Sequence, residues 1–357
     1  MHRYIVLENG KVFKGLAFGA EGDARGELVF TTGMVGYVET LTDPSYYGQI
    51  IMQTFPAVGN YGVMYGDMES ARAYCRAYVV NDYCRHPSNF RTDTDIDTFL
   101  KEQGIPGVYG VDTRAITRAI RSEGVMNAYI VSDPGAVDMS ALAAYRIENA
   151  VKSVTRGKEE IFEPEKAEYT VALFDYGAKQ NIIRSLIKHN ARVVCVPAGT
   201  SAKRIKDIAP DGIMLSNGPG DPAENKREIG VIASLFGYKP IFGICLGHQL
   251  AALAAGAKTV KLKYGHRGAN QPVKQLATGR TLITSQNHGY AVDPDSVKTG
   301  KVSYLNANDF TCEGIDYPEF GAMTVQFHPE ASAGPRDMRG LFDAFTEMMK
   351  GGTDASR

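Results

Sequence analysis

From Thr170 to Ile244 the chain repeats one rhythm: an apolar run short enough for a buried strand, then a stretch long enough for a helix. The runs are TVALFDYG from Thr170, ARVVCVP from Ala191, DGIMLSNGPG from Asp211 and KPIFGI from Lys239, with helical stretches at Lys179 to His189 and Glu224 to Phe236. Near-continuous apolar runs belong to strands covered on both faces, so the alternation predicts a mainly parallel sheet flanked by helices. Ligands of such sheets gather at the carboxyl ends of the strands, which is where chemistry is expected.

The first half reads differently. Tyr4 to Leu7, the turn Glu8-Asn9-Gly10, Lys11 to Phe18 and Glu27 to Thr32 are short β-like runs punctuated by glycine. Helix signals follow at Asp95 to Gln103 and at Asp112 to Ser122, the second opened by a capping Asp112 or Thr113 and closed by Gly124. Between the halves, residues 151–168 (VKSVTRGKEEIFEPEKAE) turn charged and lose their apolar period. The expected organisation is α/β throughout: a mixed α/β domain over 1–150, a linker over 151–168 and a sheet-and-helix domain over 169–357.

Composition narrows the function classes. With 357 residues, 44% of them hydrophobic, the chain can bury a core without disulfide or metal staples. Lys and Arg number 39 against 40 Asp and Glu, so no global field draws it to nucleic acid or an anionic membrane. Five widely spaced cysteines and a start without an apolar signal core suggest a reducing, cytoplasmic setting, and no pair has zinc-ligand spacing, so no metal is expected. The 18 uncharged residues Pro240–Ala257 contain glycines, His248 and Gln249 and read as a strand, a turn and a buried helix rather than a membrane span.

The sharpest motif is Gly243-Ile244-Cys245-Leu246-Gly247, G-x-C-x-G at a strand-turn-helix junction. Two glycines permit a tight, strained turn that would project the Cys245 sulfur and aim the Leu246 N–H at a developing oxyanion, while the helix start favours thiolate. Alone, it equally fits an inert cysteine in an apolar run. Thr324-Val325-Gln326-Phe327-His328-Pro329-Glu330 supplies a base and an orienting carboxylate, since residues two apart in an extended segment share a face; the bland alternative is a polar strand end. Leu215-Ser216-Asn217-Gly218-Pro219-Gly220-Asp221-Pro222 fits a nest of backbone N–H groups or a plain tight loop. Ser285-Gln286-Asn287-His288-Gly289-Tyr290 fits either a holder of a polar small molecule or a polar turn. No phosphate loop and no dinucleotide fingerprint occur.

With GICLGHQ, HPE, SNGPGDP and SQNHGY in one α/β half, the sequence resembles the class I, triad-type glutamine amidotransferases. The other half, through Phe30 to Tyr37 (FTTGMVGY), Leu41 to Ile50 (LTDPSYYGQI) and Gly110 to Arg118 (GVDTRAITR), resembles the N-terminal domain of carbamoyl-phosphate synthetase small subunits. The resemblance implies glutamine hydrolysis to glutamate and ammonia, and a heterodimer with a large subunit that receives the ammonia through a tunnel and uses MgATP and bicarbonate, for arginine and pyrimidine biosynthesis. It implies no cofactor on this chain itself, and leaves room for a higher oligomer of heterodimers. The alternatives are another class I amidotransferase or a cysteine hydrolase on a related fold.

By position, the resemblance makes Cys245 the nucleophile, His328 the base and acid, and Glu330 its orienting group. It makes the backbone N–H groups of Leu246 and Gly218 the oxyanion donors. Glutamine-contacting positions are Ser45, Gly218, Gly220, Leu246, Gln249, Asn287, Gly289 and Tyr290, the last standing where phenylalanine is also seen. Lys179 and His288 fall just outside, as supports.

Overall fold

The computed structural model describes residues 1–351, which divide into two compact units, Met1–Ala150 and Val151 onward. The first is built on a closed seven-stranded barrel. Its opening hairpin, His2–Leu7 against Val12–Gly19, turns where the sequence places Glu8-Asn9-Gly10, with Gly10 at φ 83°. Around the barrel follow Pro106–Tyr109, Ala77–Val79, Gln49–Gln53, Ala24–Thr31 and Met126–Val131. Asp95 and Asp112 cap the helices Ile96–Glu102 and Thr113–Glu123 by accepting from the Thr98 and Ala115 N–H groups, and Gly124 closes the second.

The second unit is a ten-stranded mixed sheet. Its centre is parallel, in the order Ala191–Pro197, Tyr169–Asp175, Gly212–Leu215, Ile241–Ile244 and Ala322–Val325. These strands are buried on both faces beneath helices such as Gln180–Lys188 and Leu246–Ala254, as their apolar runs require. Beyond Ala322–Val325 the sheet continues antiparallel through Cys312–Tyr317, Thr281–Val292, Thr259–Gln275 and Lys301–Asn306. This extension is not anticipated by the sequence reading, because its strands carry polar residues on much of their length.

The segment 151–168 is more than a linker. Val151 enters the core of the sheet domain, and Glu160–Phe162 pairs antiparallel with Ala191–Pro197 as an edge strand. Its charges are used there: Arg156 binds Asp175 at 2.9 Å and also Glu160. Charged, short edge strands resist pairing with other chains, which is why the segment looks like a connector in the sequence. No described helix is long and apolar enough to cross a membrane.

Candidate active site

Cys245 stands between strand Ile241–Ile244 and helix Leu246–Ala254, at φ 53° and ψ −103°, a conformation that non-glycine residues avoid. The turn is held from both sides: the Cys245 N–H donates to the Val325 carbonyl at 2.8 Å, and the Gly247 N–H to the Ser216 carbonyl at 3.0 Å. A side chain at 247 would collide with the sheet, since a Cβ there falls 2.3 Å from the Leu215 carbonyl oxygen. The Leu246 N–H, at the first helical position, has no acceptor within its own helix. The Gly218 loop packs against this residue: a Cβ on Gly218 would lie 2.7 Å from Leu246 Cδ2 and 2.3 Å from the Tyr176 carbonyl oxygen. Gly220, at φ 88°, continues the loop.

His328 and Glu330 are brought together by a turn, not by strand alternation. Strand Ala322–Val325 has already ended, and the Ala331 N–H closes back on the His328 carbonyl at 3.3 Å. His328 Nδ1 lies 2.7 Å from Glu330 Oε1. An ionised carboxylate only accepts, so Nδ1 carries a hydrogen. The Nε2 of His328 is buried and has no hydrogen-bond partner among the described residues. Burial alone would raise the Glu330 carboxyl, but Lys179 and His328 outweigh it and hold it at about 2. Lys179 Nζ is 3.2 Å from the same Glu330 oxygen, and the Asn181 amide donates to the Glu330 carbonyl.

The segment Ser285–Tyr290, which in sequence also fits a polar turn, lies inside the strand Thr281–Val292. It touches both catalytic candidates: Cys245 Sγ donates to the Asn287 carbonyl at 3.7 Å, and the His328 N–H donates to the Ser285 carbonyl at 2.9 Å. Gln249, one turn into the helix that begins after Cys245, donates to the Tyr290 carbonyl at 2.7 Å and to Gln326 Oε1 at 2.9 Å. Gly289 follows His288 in this strand, and Lys261 Nζ sits 6.0 Å above the Tyr290 ring. His248 is fully buried on Thr324, where burial lowers it to about 3 and keeps it neutral. Ser45 belongs to the first unit, in the short helix Pro44–Tyr46 capped by Asp43.

Cys245, Leu246, Gly218, Gln249, Asn287, Tyr290, His328, Glu330 and Lys179 are thus joined through direct contacts within one unit. Sequence reasoning misses Asn181 and the buried residues His266 and Glu313, which lie near His288 and Gln286. Only long-range packing reveals these, as nothing in the local pattern marks them.

Comparison with known proteins places the chain in a family. Residues 5–130 match the model of the carbamoyl-phosphate synthase small chain CPSase domain, and residues 172–348 match the class I glutamine amidotransferase model. Carbamoyl phosphate synthase small chains are similar over nearly their whole length. That of Bacillus cereus is 48% identical over 354 residues, covering 98% of this chain and 96% of the relative. That of Listeria monocytogenes is 47% identical, covering 98% and 97%, and that of Fusobacterium nucleatum 46%, covering 96% and 97%. The chain belongs to the carbamoyl phosphate synthase small-chain family. Its second half is accordingly a class I amidotransferase domain, with the elbow at Cys245 in its parallel core and the His328 turn just past the end of Ala322–Val325.

Proposed function

We propose that this chain is the glutaminase subunit of a glutamine-dependent carbamoyl-phosphate synthetase. It hydrolyses glutamine to glutamate and ammonia and passes the ammonia to a large, ATP-using partner that builds carbamoyl phosphate from bicarbonate. The observation that carries this reading is the pairing of His328, oriented through Nδ1 by Glu330 and with its buried Nε2 without a partner among the described residues, with a cysteine held on a strained turn against the same strand.

The chemistry follows from those groups. His328 takes the Cys245 thiol proton through Nε2, and Glu330 stabilises the imidazolium that forms. The thiolate attacks the side-chain amide carbon of glutamine, and the N–H groups of Leu246 and Gly218 receive the oxyanion. His328 returns the proton to the leaving nitrogen, ammonia departs, and a glutamyl thioester remains. Water, deprotonated by His328, releases glutamate and restores the thiol. Gly220, Gln249, Asn287, Gly289 and Tyr290 hold the substrate. MgATP and bicarbonate are the partner's substrates on this reading, and the chain itself needs no metal or cofactor.

The test is ammonia release from glutamine by the purified chain, with and without the large subunit, bicarbonate and MgATP. Turnover stimulated by the partner is the expected result. Absence of glutamine turnover under both conditions would overturn the reading.

A further inference from the structure

The strand that touches Cys245 and His328 also anchors a buried polar chain with no part in the chemistry above. His288 Nδ1 lies 2.7 Å from the Tyr290 carbonyl oxygen, and its Nε2 lies 3.0 Å from Gln286 Oε1. Gln286 Nε2 reaches Glu313 Oε2 at 3.0 Å, while Glu313 Oε1 receives Asn306 Nδ2 at 3.1 Å and faces His266 Nδ1 at 3.5 Å. The chain ends where His266 Nε2 meets Asp309 Oδ2 at 2.9 Å. Glu313 is fully buried, on the strand Cys312–Tyr317.

Counting hydrogens along the three links from Tyr290 to Glu313 shows a surplus. A carbonyl only accepts, so His288 Nδ1 carries a hydrogen. Thr284 gives its hydroxyl hydrogen to the Gln271 carbonyl at 2.9 Å and accepts from Gln286 Nε2 at 3.1 Å. Gln286 Oε1 then faces His288 Nε2, which also needs a hydrogen, and His288 becomes an imidazolium. If the Gln286 amide and the Thr284 hydroxyl turn over instead, His288 is neutral and the hydrogen sits on Glu313, which donates to Gln286 Oε1. Either arrangement holds one proton more than a neutral imidazole and a carboxylate supply.

We propose that Glu313 is a positioning residue that keeps a proton at neutral pH and, through Gln286 and His288, pins the Tyr290 carbonyl and the strand beside Cys245. Burial, with His266, Arg267 and His328 nearby, lowers the affinity of His288 for a second proton. Burial raises the Glu313 carboxyl, against the opposing pull of His266, Asn306 and Gln286 and with Cys312 beside it. His266, although burial opposes its charge, is lifted by Asp309 at 2.9 Å and pairs with that ionised carboxylate. His266, His288 and Glu313 present ligand atoms within 4.8 Å of one another, a spacing open to a divalent cation. Both nitrogens of His288 and both oxygens of Glu313 already have partners, so a proton satisfies the group with no movement beyond the turnover of the Gln286 amide and the Thr284 hydroxyl.

The kinetic consequence rests on the glutaminase reading. In the complex with the large subunit, Glu313→Gln keeps a donor toward Gln286, and its KM for glutamine is expected to stay within about threefold of the native value, whereas Glu313→Ala raises KM by about tenfold with a smaller change in kcat. Native KM rises at alkaline pH as Glu313 loses its proton, and Glu313→Gln removes that limb. Equal KM rises in the two variants, or an alkaline limb unchanged in Glu313→Gln, would overturn the proposal. A second readout needs neither turnover nor a variant: nitrogen-15 histidine NMR of the native chain should show His288 neutral, with the hydrogen on Nδ1, between about pH 6 and 8. An imidazolium at His288, or a stoichiometric bound metal, overturns the proposal. If the native complex hydrolyses no glutamine, the functional reading fails while the NMR result still decides this one.

Discussion

Lys179 Nζ lies 3.2 Å from Glu330 Oε1, the oxygen that also accepts the His328 Nδ1 hydrogen. All three side chains are nearly or fully buried, so this ammonium meets the carboxylate with little screening by water. Lys179, together with His328, thereby keeps Glu330 ionised in a place where burial would otherwise neutralise it, and an ionised Glu330 is what fixes the hydrogen on His328 Nδ1.

Replacing Lys179 by Met removes the main force lowering Glu330. The Glu330 carboxyl is depressed from its ordinary 4.5 to about 2, so its contribution is complete above the ordinary value and is lost as pH falls toward 2. Without Lys179 that loss begins at higher pH. The expected outcome is an acid limb of kcat/KM displaced to higher pH, with the loss greatest at the acid end of the profile and fading toward neutral pH. A pH–rate profile of the variant complex checks it; a profile superimposable on the native one would contradict the role assigned to Lys179.

Cys245→Ser should abolish glutamine-dependent carbamoyl phosphate synthesis, by at least about 10³-fold, while synthesis from free ammonia continues. Loss of both activities would mean that the elbow serves assembly rather than chemistry. Glu330→Ala should cost less than Cys245→Ser, because His328 keeps its base and loses only its orienting group; equal losses would give Glu330 a direct part in the reaction.

The elbow is legible in the sequence because its strain is built from neighbours: a cysteine at φ 53° needs glycines within two residues, and these stand adjacent in the chain. The parallel core is legible because strands buried on both faces write themselves as apolar runs. His328 and Glu330 are recognised by residue type, but the reason they meet is a turn that spacing does not encode. Less local features stay hidden. Residues 151–168 use their charges at a sheet edge and so resemble a linker, and Ser285–Tyr290 resembles a loop because its polar side chains bond to one another and to neighbouring strands. The Glu313 network joins residues from four strands and a loop, and no period connects them.

Two glycines separate close packing from helix propensity. Gly247→Ala would drive a methyl group to 2.3 Å from the Leu215 carbonyl, displacing the helix start from the sheet and destabilising the fold by about 1–3 kcal/mol. Gly230, exposed in helix Lys226–Ala233, has nothing within 4 Å of a Cβ, and Gly230→Ala should stabilise by about 0.5–1 kcal/mol. Opposite shifts in Tm by calorimetry are the expected result.

Asp316 provides a pH test away from the catalytic candidates. It sits opposite Lys301 across two antiparallel strands and bonds Ser303, yet burial dominates and pushes its carboxyl up from 3.8 to about 6. The folded state therefore binds the proton more tightly than the unfolded chain does. Stability contributed by this group is full below the ordinary carboxylate value and is lost as pH rises through about 6. At pH 7–8 the ionised Asp316 is a cost that asparagine, similar in shape and uncharged, does not carry. Asp316→Asn should raise stability there by about 1–3 kcal/mol, with the advantage vanishing near pH 4. Thermal unfolding of both proteins across that range measures the difference, and a gain independent of pH would show that ionisation of Asp316 is not its source.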